Sequence, residues 1–442
     1  HARDSYISPP LHDRWLCHNH ATAMAILPDI APLRLHRDFR VLYFGQFVSL
    51  LGSMLSYVAL PFALYQLTHS PKLLGLLGVI QLVPSVVGGL FGGALADAVN
   101  RRKLLLLSEA GMALCVFLLS ALAWKGMLSA PILIVASALT AILSGVHRPA
   151  IEALTPLLVK REDMPAIGVL SSFRYNVGAI AGPALAGLIL AKQGPALAFF
   201  LDGLTFCAAM IAVFSLHNIP TASASSRFSL QSISEGFRYA MSRQELVGTY
   251  VVDIVAMTFS MPNLLFPAIA EEFAKTQNGG ASYLGWLHSG MAIGALLGSI
   301  TSGWTRSIRR HGMMVIWAAG SWSALMIGFG ASRSFPMAMA FLMAAGYADM
   351  ISGVYRSTIW NQTIPSELRG RLAGIEMISY LSGPMLGNTQ LGILAGMMGV
   401  RRAITLSSII GLAAVAGSAA LLPKFRRYLA APSGNPGETT SG

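Results

Sequence analysis

An all-α membrane protein of twelve transmembrane helices in two six-helix repeats is the fold class this sequence predicts, on three observations. Hydrophobic residues are 54% of the 442 and charged residues only 11%, whereas an average soluble domain carries roughly 25% charge. Mean hydropathy is +0.60, so the surface has too little charge to face water and suits lipid instead. Long stretches, among them 41–71, 73–96, 126–147, 276–305, 311–332, 377–400 and 403–423, contain no Asp, Glu, Lys or Arg. Each is long enough for the roughly 20 apolar residues that cross a bilayer as a helix. The third observation is that the sequence repeats itself after about 200 residues. A β-barrel would show short segments of alternating polarity instead, and none appears.

Taken in order, the spans fall at 40–67, 73–96, 104–124, 130–149, 166–190, 196–216, 246–269, 283–304, 313–331, 336–357, 372–396 and 402–422. Before them lies a tail, 1–32, in which no methionine precedes Met24 and no long apolar core of a signal peptide occurs. The expectation is a disordered tail, partly non-native before Met24. Its Cys17, His18 and His20 lack the second ligand cluster that a zinc site needs, so no metal is expected. Residues 33–216 form the first six-helix bundle, 217–245 a Ser-rich cytoplasmic linker, 246–423 the second bundle and 424–442 a cytoplasmic tail. With three cysteines, in the tail and inside spans, no disulfide framework is implied.

Lys and Arg cluster on one set of connections: Arg34, Arg37 and Arg40; Arg101, Arg102 and Lys103; Lys160 and Arg161; Arg309 and Arg310; Arg426 and Arg427. Such clusters mark the cytoplasmic side, which puts both termini inside. The net charge of +12 is thereby assigned to topology and contacts with anionic membrane lipids; no nucleic-acid partner is expected. A nucleotide-binding Gly-x-x-x-x-Gly-Lys-Ser/Thr loop, a His-Glu-x-x-His zinc motif and a Gly-x-Ser-x-Gly elbow are all missing. An enzyme is not expected, and neither is a cofactor.

The repeat is visible in three places. Gly145-Val146-His147-Arg148 returns as Gly353-Val354-Tyr355-Arg356, Gly182-Pro183 as Gly383-Pro384, and Gly93 with Arg101 as Gly298 with Arg306. Parallel six-helix halves are the architecture of carriers that bind substrate between the halves near mid-membrane.

Three segments carry a family resemblance. Gly93-Ala94-Leu95-Ala96-Asp97-Ala98-Val99-Asn100-Arg101-Arg102-Lys103 resembles the loop motif of the major facilitator superfamily, with Asn100 where glycine is usual and Ala98 where a basic residue is usual. Gly178, Gly182, Pro183 and Gly187 in span five are similar to the Gly-x-x-x-Gly-Pro motif of that superfamily's exporters. Pro365-Ser366-Glu367-Leu368-Arg369-Gly370-Arg371 resembles the segment before span eleven in its drug-efflux subfamily, which includes siderophore and macrolide exporters. The resemblance runs along most of 33–425 and implies a secondary active exporter of the bacterial inner membrane, moving an amphipathic, siderophore-like small molecule outward in exchange for protons. A macrolide or multidrug pump, and a non-transporting membrane scaffold, are the alternatives. It further implies a latch of Gly93, Asp97, Arg101 and Arg102, with Arg148 paired to Asp97 and Arg356 as the repeat partner of Arg148. A monomer is expected rather than an oligomer.

Ionisable groups inside a bilayer are costly and line the interior by default. Asp349 in span ten, then Asp253 in span seven, are the candidates for a proton-coupled carboxylate; a carboxylate fixed by neighbouring Ser or Tyr is the structural alternative. Arg174 and Glu376 occupy nearly equivalent places in spans five and eleven and predict an inner gate if they meet across the pseudo-axis. Local pairing of each, or an anionic ligand on Arg174, are the other readings. Asp202 and Glu109 lie in scaffold spans and are read as structural. Gln46, Ser49, Ser53 and Tyr57 share one face of span one and are candidates for the cavity wall.

Overall fold

The spans begin and end where the sequence supplies caps. In the computed structural model, which describes residues 29–217, 238–274, 280–365 and 369–429, the first four are Arg37–Thr68, Pro71–Ala98, Arg101–Trp124 and Ala130–Leu154. Span two starts with Ser70 Oγ accepting from the Leu73 amide and Pro71 in the first turn, span three with Asn100 Oδ1 accepting from the Arg102 and Lys103 amides. Asn100 therefore works as a helix cap in the loop motif, with φ −60°; the left-handed turn that glycine would provide is not made here.

Spans five and six are two helices within Met164–Phe214, separated at Gly194, whose φ of +73° only glycine adopts without strain. Pro195 follows immediately and cannot continue the hydrogen-bond ladder. Beyond the linker come the broken span seven, Gln244–Ser260 and Phe266–Ala274, then Gly280–Thr301, His311–Ala331, Phe335–Thr363, Arg369–Met398 and Val400–Leu421. By length and composition ten of these helices are apolar enough to cross a membrane; one is the double span 164–214, and Arg369–Met398, with 30 residues, completes the twelve.

Span seven corrects the expectation of a continuous helix over 246–269. It breaks at Met261 and Pro262, where proline has no amide to donate. The backbone groups so released are met by neighbours: Asn388 of span eleven accepts from the Leu264 amide at 3.0 Å and Ser407 of span twelve donates to the Phe259 carbonyl at 2.6 Å. Within a bilayer such a break persists only where protein satisfies it.

Packing repeats between the halves as the duplication requires. Gly182 lies against Met54 of span one, and its repeat partner Gly383 against Met257 of span seven. Gly88, Gly92 and Gly145 bring spans two and four together, while Gly294 and Gly346 bring spans eight and ten together. Lacking Cβ, these glycines let backbones touch.

With twelve spans between them, the ends of the described stretch, Asp29 and Leu429, lie on one face, termed the terminal face. The tail with Cys17, His18 and His20, most of the 217–245 linker, Ser366–Leu368 and the side chains of Asp97, Arg369 and Arg371 lie outside the described residues.

Candidate functional site

Close contacts between the halves gather toward the face opposite the termini. Gly75 of span two lies against Gly392 of span eleven, and Gly187 of span five against Gly285 of span eight; a Cβ on Gly75 would stand 2.6 Å from the Gly392 Cα. Thr389 Oγ1 donates to the Gly75 carbonyl at 3.0 Å and Ser289 Oγ to the Ile180 carbonyl at 2.9 Å. Asn263, in the break of span seven, donates to the Tyr57 hydroxyl at 3.5 Å. Toward the terminal face, the motif glycine Gly93 has nothing within 4 Å of where its Cβ would be. Among the described residues, then, the halves meet closely on the face opposite the termini, and the motif glycine makes no close helix contact in this state.

Among the described residues, two chambers border span one. The larger, about 560 Å³, is lined by the N-terminal half, from Phe39, Tyr43, Gln46, Ser49 and Ser53 of span one to Arg174 and Tyr175 of span five, and reaches the span four–five connection at Pro156. A deeper one of about 290 Å³ is lined by Ser53, Ser56, Tyr57, Gln81 and Asp202 together with Leu264 and Met385 of the C-terminal half. Ser53, Met112, Ser144 and Phe206 line both. The polar face of span one is placed along these chambers, Gln46, Ser49 and Ser53 in the larger and Tyr57 in the deeper.

The charged residues resolve into three groups. In the C-terminal half Arg356 pairs with Asp253 and lies 3.7 Å from Asp349. Asp349 and Arg356 are two helical turns apart on one face of span ten; Asp253 meets them from span seven, 6% exposed, while the Asp349 side chain is 40% exposed. Arg356 was expected with the latch as the repeat partner of Arg148. It turns inward instead, because two carboxylates attract it, and its charge also reaches Glu376.

The second group is in the N-terminal half. Gln46 Nε2 donates to Glu109 Oε1 at 2.7 Å, and His147 Nε2 lies 3.1 Å from the same oxygen. Glu109 is fully buried and its other oxygen has no partner. His147 lines the larger chamber. His147 carries no charge mark in the sequence; its one signal is its alignment in the repeat with Tyr355, whose ring lies 5.0 Å from that of His311, tilted by 56°.

Arg174 is the third. Its guanidinium lies 5.7 Å from the centre of the Tyr43 ring and its Nε is buried without a partner. No ion pair joins it to Glu376 among the described residues, so the gate expected of that pair is not made in this state. Asp202, 1% exposed, accepts from Thr205 at 3.4 Å and borders the deeper chamber. Of the latch residues, Arg101 donates to the Ala153 carbonyl at 3.1 Å, Arg102 to the Phe214 carbonyl, and Arg148 pairs with Glu152 at 3.1 Å. Arg101 and Arg102 tie the loop after span two to spans four and six. The exporter-motif glycines pack span five on span one through Gly178 and Gly182, and on span eight through Gly187.

Residues 28–436 match the description of a transmembrane secretion effector family within the major facilitator superfamily. The chain belongs to that family. It is 26% identical over 376 residues to the enterobactin exporter EntS of Shigella boydii serotype 4 and, equally, to that of Escherichia coli O1:K1, covering 84% of this chain and 88% of each relative. Among solved structures, the nucleoside transporter NupG superposes with a TM-score of 0.71 at 12% identity over 87% of this chain and 98% of its own. A bacterial homologue of the lysosomal transporter Spinster gives 0.70 at 14% identity, over 91% and 100%. These likenesses bear out the twelve-helix fold. The chain is a multi-pass membrane transporter and not an enzyme.

Proposed function

We propose that this transporter exports an amphipathic, siderophore-like small molecule across the inner membrane by alternating access, in exchange for protons. The observation that carries the reading is the geometry between the halves: continuous chambers open toward the terminal face, sealed at the other by glycine seams, with carboxylates held inside. Relatives named as enterobactin exporters support the substrate class. The Lys and Arg clusters of the terminal face support its being cytoplasmic, since positively charged connections stay inside. Asp349, half exposed beside Arg356, is the group that would exchange protons: a proton on it frees Arg356 to Asp253 alone, and its loss restores the three-member cluster. Asp253 and Glu376 lie within reach of the same guanidinium and would follow its movement.

Everted vesicles given a catecholate siderophore in the bath test this. Uptake is expected to rise when the lumen is acidified relative to the bath and to lose that dependence in Asp349→Asn, with gradient-free exchange retained. Flux indifferent to the gradient in the unaltered protein would remove antiport, and absence of flux for every amphiphile would favour a non-transporting scaffold.

A further inference from the structure

An arginine keeps its charge throughout the accessible pH range, and a charge away from water is stable only when something answers it. Each of the other charged side chains on the larger chamber has such an answer: Arg148 pairs with Glu152 at 3.1 Å and His147 faces Glu109 at 3.1 Å. Arg174 forms no ion pair among the described residues, and its Nε is buried and unpartnered. The Tyr43 ring below it, held by a hydrogen bond from its hydroxyl to the Leu170 carbonyl at 3.0 Å, offers only the partial negative charge of a π face.

We propose that the missing counter-ion is the exported molecule: Arg174 is the docking residue for an anionic group, a carboxylate, sulfonate or catecholate, on an amphipathic substrate. The guanidinium fork matches such oxygens two at a time. Around it the chamber supplies Tyr175, Phe39 and Phe206 for a ring or apolar body, and its volume of about 560 Å³ lies within the ordinary range of small-molecule sites. The substrate class is therefore an aromatic or otherwise apolar anion, and a neutral molecule of the same shape binds less well. This inference rests on the reading of the chamber as the substrate site.

Two fluorescent probes separate the inference from that reading: 8-anilinonaphthalene-1-sulfonate and its uncharged counterpart N-phenyl-1-naphthylamine, titrated onto the protein in nanodiscs with protein-free discs subtracted. Arg174→Gln is expected to weaken the sulfonate by about tenfold or more, the scale of a lost charge-assisted contact, and to leave the neutral amine unchanged. Arg174→Lys should recover part of the loss. Equal sulfonate affinity in Arg174→Gln and the unaltered protein overturns the anion site while the chamber stands. Failure of both probes to bind the unaltered protein removes the substrate-site reading itself. A second measurement needs no variant. The sulfonate, and not the amine, should protect Arg174 from phenylglyoxal as read by mass spectrometry; modification at the same rate with and without it would count against the proposal.

Discussion

Arg356 turns into the C-terminal half because Asp253 and Asp349 together outweigh the pull of the membrane surface on a residue near the end of span ten. A guanidinium with 15% exposure between two carboxylates is worth most as a set, since removing one member leaves the others buried and uncompensated. Arg356→Gln alone is accordingly expected to destabilise the protein by about 3–5 kcal/mol, and the pair Arg356→Gln with Asp253→Asn by much less. Thermal unfolding in detergent compares the two; equal losses would show that the ion pair is incidental. Some of this cluster was legible beforehand. Both aspartates stand out as charges inside spans, and Asp349 and Arg356 are seven residues apart, hence on one helical face. That Asp253 joins them is a fact of how spans seven and ten pack, which no spacing along the chain encodes. The buried Glu109–His147–Gln46 group escaped for the same reason: its members come from three spans, and histidine, neutral or charged, leaves no mark in a charge count.

At the scale of elements, hydropathy locates helices well and says little about their integrity. An apolar run reads as one span whether or not it is broken, so the interruption at Met261 and Pro262 went unseen, although Pro262 is the residue that causes it, whereas the break between spans five and six at Gly194 and Pro195 falls where the spacing puts it. Glycine is more informative in pairs. Gly75 with Gly392 and Gly187 with Gly285 are where backbone meets backbone across the halves, and any side chain there forces them apart. Gly75→Leu should hold the opposite face open. In a background freed of Cys17, Cys115 and Cys207, Thr389→Cys, now beneath that seam, is expected to react several-fold faster with an impermeant maleimide added from that side. An unchanged rate would mean that the seam is not what closes the molecule.

For the whole molecule, the duplication explains both what could be read and what could not. Repeat partners such as Gly182 and Gly383 make matching contacts with spans one and seven, so the scaffold followed from the sequence. Chemistry departs from the symmetry: Arg148 pairs with the neighbouring Glu152 whereas its counterpart Arg356 is turned inward, and Arg174 in span five forms no ion pair among the described residues, its Nε buried and unpartnered. That last asymmetry fixes the electrical character of the cycle. If a monoanion leaves on Arg174 while one proton enters, both movements carry positive charge into an interior-negative cell, and two elementary charges cross per turnover. Each is worth about 2.3 kcal/mol per 100 mV, so 100 mV alone would sustain a gradient of about three orders of magnitude in the exported compound. A potassium diffusion potential set with valinomycin, at equal pH on both sides, should therefore drive export, and a transporter of neutral molecules working one proton at a time would respond half as steeply.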